Sequence, residues 1–96
     1  MIEKLSTLLH KRAVFNRISL LMGKEVTIET AVYTAGRLLI YVDTDSYRFT
    51  FTLTPEDEVQ IVAIENIFSI SDLKLQLKIA EIIQSHISLN KHWRDQ

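Results

Sequence analysis

Leu73-Lys74-Leu75-Gln76-Leu77-Lys78-Ile79 alternates apolar and polar residues at every step, the pattern of a half-buried strand. Yet the segment continues through Ala80, Glu81 and Gln84 to about residue 90 with no Gly or Pro, and Ser71 or Asp72 is placed to cap its start. Unbroken length favours a helix over residues 72–90. That choice decides the fold class: with this helix the chain is α+β, and without it nearly everything after residue 24 is strand.

Upstream, the apolar period is two. Val26, Ile28, Thr30 and Val32 alternate with Glu25, Thr27 and Glu29, and a turn follows at Ala35-Gly36. Residues 38–42 are apolar on both faces, and Asp43-Thr44-Asp45-Ser46 is a polar turn. Tyr47, Phe49, Phe51 and Leu53 alternate with Arg48, Thr50 and Thr52, and a second turn at Thr54-Pro55-Glu56-Asp57 leads into residues 59–64. Short loops between such runs predict an antiparallel meander of four strands, or five if residues 67–70 add another. Residues 2–22 read as helix, closed by Gly23. Its apolar stripe changes phase: Ile2, Leu5, Leu8, Leu9 and Ala13 share one side, while Phe15, Ile18, Leu21 and Met22 lie nearly opposite. Either the helix breaks near Asn16, a suitable N-cap, or its halves face different neighbours. The expected fold is one α+β domain over residues 1–96.

The C-terminal helix carries the same ambiguity. Leu73, Leu77, Ala80, Ile83 and Ile87 line one side, and Leu75, Ile79, Ile82 and Leu89 line the other. A helix lying on one sheet needs only the first stripe, and each large aliphatic side chain is worth roughly 1.5–3 kcal/mol when buried. Two arrangements satisfy the second stripe: the N-terminal helix covers it, or a partner does, most simply a second copy. Trp93 either anchors the same interface or caps the edge of the core.

Composition limits the chemistry. Ninety-six residues, 47% hydrophobic and 24% charged, suit one small globular core. The absence of cysteine removes thiolate ligands, nucleophilic thiols and disulfides, and agrees with a reducing compartment. No leader-like segment or membrane-spanning run is evident, so the expected location is cytoplasmic, with no membrane partner. The net charge of −1 hides an uneven distribution. Lys4, Lys11, Arg12, Arg17 and Lys24 make the N-terminus basic, whereas acids far outnumber Arg37 and Arg48 between residues 25 and 72.

No pattern of catalytic residues emerges. A hydrophobic run before Asp43-Thr44-Asp45 resembles the opening of haloacid-dehalogenase-type phosphotransferases, but that fold needs a parallel sheet and a longer chain, so these residues are read as an acidic turn. His10, His86 and His92 show no metal-ligand spacing and are read as solvated surface residues. With only Gly23 and Gly36, no glycine-rich loop can cradle phosphate. No cofactor, metal site or catalytic residue is expected.

These readings favour a non-enzymatic protein-binding module: a small adaptor, an immunity-type protein or a phage or mobile-element inhibitor. The expected partner is another protein, with homodimerisation, through Leu75, Ile79, Ile82, Leu89 and Trp93. A sharper version has Glu25, Glu29, Asp43, Asp45, Glu56, Asp57 and Glu58 form an acidic face imitating nucleic-acid phosphates. The alternative is a nucleic-acid-binding domain that contacts phosphates through Lys11, Arg12 and Arg17. Its barrel form follows from the order helix, Gly23-Lys24 opening a strand, Gly36, Asp43, then spaced Ile64, Ile67 and Ile70. Over about residues 1–70 that order resembles small Sm-type barrels, without the RNA-pocket signature of that family.

Overall fold

The structure is a computed structural model, and it describes residues 2–62 and 70–95. Two short helices replace the expected single one: α1 (Ile2–Leu9) and α2 (Arg12–Met22). The stripe changes phase because the helix breaks, but the break lies at His10-Lys11, and Asn16 sits inside α2. Lys11 is extended (φ −111°, ψ 137°) and supplies no side-chain cap. Histidines hold the break instead. His10 Nε2 donates to the Ile28 carbonyl at 2.8 Å, and His86 Nε2 donates to the Leu8 carbonyl at 2.8 Å. The second bond satisfies a carbonyl that the last turn of α1 leaves without a helical partner. Gly23 closes α2 in the left-handed region (φ 70°), its N–H bonded to the Ser19 carbonyl at 2.8 Å.

Four strands follow: β1 (Thr27–Val32), β2 (Leu38–Asp43), β3 (Arg48–Leu53) and β4 (Val59–Ile61). They form one antiparallel sheet in the order β1-β2-β3-β4. The register pairs Thr27 with Asp43 and Asp43 with Arg48 at one end of the sheet, and Val32 with Leu38 and Leu53 with Val59 at the other. A fifth strand at residues 67–69 falls outside the described residues, and Ile70 opens a helix. Among the described residues no pairing joins β1 to β4, so the four described strands form an open sheet, and Ile64 and Ile67 of the expected barrel pattern lie outside the described residues. Ile28, Ile40, Val42, Phe49, Phe51 and Leu53 face the core as their alternation predicts. Glu29, Tyr41, Arg48, Thr50 and Gln60 occupy the opposite face of the sheet.

Helix α3 (Ile70–Leu89) settles the ambiguous stretch as helix, starting earlier than expected, so that Asp72 lies in its first turn. It is buried along a seam between the two expected stripes. Gln76, Ile79, Ile83 and Ile87 are fully buried. Leu75 and Ile82 pack partly against the core on the side where α2 meets α3. On the other flank, Leu73 and Leu77 stay 39% and 48% exposed beside β4. The helix thus has three neighbours (α2, the core face of the sheet and the β4 edge), which is why its sequence is apolar on more than one side. A 3₁₀ turn, Trp93–Asp95, is the last described element, with Trp93 buried.

Gln76 is 0% exposed, and neither its amide nitrogen nor its oxygen has a hydrogen-bond partner among the described residues. Burying an unsatisfied amide costs roughly 1–3 kcal/mol on protein mutational scales. Gln76→Leu, nearly isosteric, is therefore expected to raise unfolding free energy by about 1–3 kcal/mol in urea titration with the m-value unchanged. A clear loss of stability would show that the amide makes an essential bond.

Candidate functional site

The expected interface residues do not share one surface. Ile79 and Trp93 are core residues, 0% and 2% exposed. The expectation fails for them because α2 and the sheet together cover more of α3 than one layer would. Leu75 and Ile82 are partly covered by the same packing. Only Leu89 is open, at 81%, and it stands alone at the end of the helix.

The contiguous apolar surface lies on the opposite flank. Between α3 and β4 runs a groove of about 420 Å³ lined by Val59, Gln60, Ile61, Leu77, Ala80, Glu81 and Gln84. Leu73 lies one turn before Leu77 on that flank. Gln84 closes one end of the groove through its carboxamide: Oε1 accepts the Val59 N–H at 2.7 Å, and Nε2 donates to the Asp57 carbonyl at 2.8 Å. A side-chain amide here takes the place of a neighbouring strand's peptide group. Beyond Gln84, Glu56 and Glu58 are exposed in an adjoining hollow that also contains Ser88 and Lys91. The groove is greasy along its length and acidic at its mouth.

The seven carboxylates do not assemble into one face. Glu25, Glu29, Asp43 and Asp45 lie at the α2 end of the sheet, and Glu56, Asp57 and Glu58 at the far end. Several are neutralised within the chain. Arg48 makes a bidentate pair with Asp43, at 2.8 Å and 3.0 Å, and reaches Glu29 at 3.6 Å while lying 4.6 Å from the centre of the Tyr41 ring. The bond to Asp43, and then its charge, raises the Arg48 pKa further. Lys24 meets Asp45 at 3.2 Å, and this hydrogen bond, followed by the lysine's charge, holds the Asp45 carboxyl below the usual carboxylate range. The Asp43-Thr44-Asp45 stretch is the expected turn, with the Thr44 hydroxyl accepting the N–H groups of Ser46 and Tyr47.

Asp57 is an internal anchor. It sits in the left-handed region (φ 63°), which Asp tolerates better than most residues. Its Oδ1 accepts from Arg94 Nε at 2.8 Å and its Oδ2 from Trp93 Nε1 at 3.2 Å. Arg94 Nη2 also donates to the Thr54 carbonyl at 3.2 Å, and its guanidinium stacks 4.5 Å from the Trp93 ring centre. Lys4 Nζ donates to the Arg94 carbonyl from the first helix. The C-terminal turn is thereby latched to the β3–β4 turn and to α1.

The basic residues are not brought into one stripe either. Lys11 occupies the helix break, and Arg12 and Arg17, both exposed, are five positions apart on α2, well around the helix from each other. His10 and His92 are exposed as expected, although His10 is also hydrogen-bonded to the Ile28 carbonyl, while His86 is half-buried and bonded to the Leu8 carbonyl; His92 lies 3.7 Å from Asp95. Among the described residues no group of three His, Asp or Glu side chains is placed to hold a metal ion, and no described helix is long and apolar enough to cross a membrane. Comparison with protein-family models, curated proteins and solved structures finds no match for the chain.

The latch makes a stability prediction that a solvated acidic face would not. Asp57→Ala is expected to cost about 1.5–3 kcal/mol, because it strands the Trp93 and Arg94 donors. Arg94→Ala costs less, and the double variant is less destabilised than the sum of the two, as a double-mutant cycle by urea unfolding would show. Additive costs would mean the pair is not coupled.

Proposed function

We propose that this chain is a non-enzymatic, cytoplasmic protein-binding module, and that its partner docks in the groove between α3 and β4. The observation carrying this reading is the continuity of Leu73, Leu77, Ala80, Val59 and Ile61, an apolar strip left open on a chain that covers most other faces of α3. Isolated exposed apolar residues such as Leu20 are ordinary on protein surfaces, but a contiguous strip rimmed by charge marks a contact site. Glu56, Glu58 and Glu81 at its margins favour a partner segment that is apolar with basic flanks. The reading moves the docking surface from the stripe of Leu75, Ile79 and Ile82 to the other flank of the same helix. Split and partly paired carboxylates give phosphate mimicry no comparable support.

The test is parallel affinity capture with the native chain and with Leu73→Glu/Leu77→Glu, with and without nuclease. Both positions are already partly in water, so the variant is expected to melt within a few degrees of the native chain while losing its protein partners. Partners held equally by both chains, or recovered only with nucleic acid intact, would overturn the reading.

A further inference from the structure

The other edge of the sheet is treated differently from β4. Hydrogen-bond parity follows from the register: Tyr33 N–H bonds the Arg37 carbonyl at 2.9 Å, so residues 27, 29 and 31 turn their main-chain groups toward β2. Ile28, Thr30 and Val32 therefore turn theirs outward. His10 Nε2 occupies the Ile28 carbonyl. Among the described residues nothing bonds the outward groups of Thr30 and Val32, and the exposure of Val32 (68%) and Tyr33 (53%) shows that this end of the strand is uncovered.

We propose that the occupant of this edge is a second copy of the chain, paired antiparallel through β1 about a two-fold axis at Ala31. That register sets Thr30 against Val32 of the other copy, and Val32 against its Thr30, so two hydrogen-bonded pairs use the N–H and carbonyl groups of both Thr30 and Val32 on each strand. A two-fold at Thr30 would need the Ile28 carbonyl already held by His10, and one at Val32 would pair Thr30 with Thr34, where the 3₁₀ turn Thr34–Gly36 begins. Of the three, only the Ala31 register uses all the outward groups of Thr30 and Val32 and none that is capped. Its side chains agree: the two small Ala31 residues face each other as the close, non-hydrogen-bonded pair, and β-branched Thr30 and Val32 meet across the strands. Glu29 falls opposite Tyr33 of the other copy, next to Arg37 on the adjoining strand, so no like charges meet. The pairing would join two four-stranded sheets into one of eight, leaving both α3–β4 grooves at the far edges. Contact confined to one strand pair is small, so the dimer is reversible.

The chain has no cysteine, so single cysteines report the register directly. In the Ala31 register the Ala31 Cα atoms stand about 4.5 Å apart, within disulfide reach. Ala31→Cys is expected to oxidise to a covalent dimer at least about tenfold faster than Tyr33→Cys, whose own counterpart lies far along the strand. Thr30→Cys mixed with Val32→Cys is expected to cross-link, while neither does so alone. Light scattering coupled to size exclusion should show the native mass rising from 11.1 kDa toward twice that value with concentration, and Val32→Lys should weaken association about tenfold or more without lowering the melting temperature. A native chain that stays monomeric to millimolar concentration would overturn the proposal. So would a dimer whose Ala31→Cys variant links no faster than Tyr33→Cys, because the copies would then meet elsewhere.

Discussion

An antiparallel sheet that does not close exposes a row of main-chain donors and acceptors along each outer strand, and the placement of the helices here answers that constraint. His10, at the end of α1, holds the Ile28 carbonyl on β1. Gln84, on α3, holds the Val59 N–H and the Asp57 carbonyl along β4. An unmet buried peptide group costs about as much as a lost hydrogen bond, and an exposed edge invites pairing with another chain. Two side chains thereby fix where α1 stops and where α3 lies. The break at His10-Lys11 is a consequence: a straight helix through residue 22 would carry His10 away from the strand it caps.

The C-terminal latch shows which term dominates when polar and apolar contacts coincide. Asp57 and Arg94 are each 23% exposed, so the charge pair is partly screened and worth on the order of 1 kcal/mol beyond its hydrogen bonds. Trp93 buries an aromatic surface of some 150–250 Å², which at 25 cal/mol per Å² is roughly 4–6 kcal/mol as an upper bound. Burial drives the turn inward, and the carboxylate makes that burial possible by accepting the indole N–H. The left-handed backbone of Asp57 is held by the same bonds.

Much of the architecture was legible in the sequence. Period-two runs gave the strands, with Phe49, Phe51 and Leu53 facing the core as read, and Gly23 marked the end of the second helix. The two stripes of α3 carry more apolar surface than one layer needs, and of the two arrangements expected for the second stripe, cover by the N-terminal helical segment is the one observed for Leu75, Ile79 and Ile82. Periodicity reports angles around a helix, whereas the seam from Gln76 to Ile87 depends on where α2 and β4 stand relative to it. Polar roles were harder to read for the same reason. Gln84 was a visible signal, a lone amide beside Ile82, Ile83 and Ile87, yet its partners lie 25 and 27 residues away. Asp57 reads as one more acid in a turn until the chain end folds back on it.

What these commitments leave behind is informative. Asp43, Asp45, Asp57, His10 and His86 all bind groups within the chain, whereas Glu56, Glu58, Arg12 and Arg17 stay exposed. Among the described residues, two open surfaces stand out, an apolar strip beside β4 and bare main chain on the outer half of β1. A lysine at position 32, where the side chain is already 68% exposed, would blunt the strand edge at little cost to the folded subunit. Their chemistries also differ: an apolar groove would select side chains, while a bare strand edge would select backbone. In the dimer proposed through β1, the self-complementary pattern about Ala31 narrows the second choice to the chain itself.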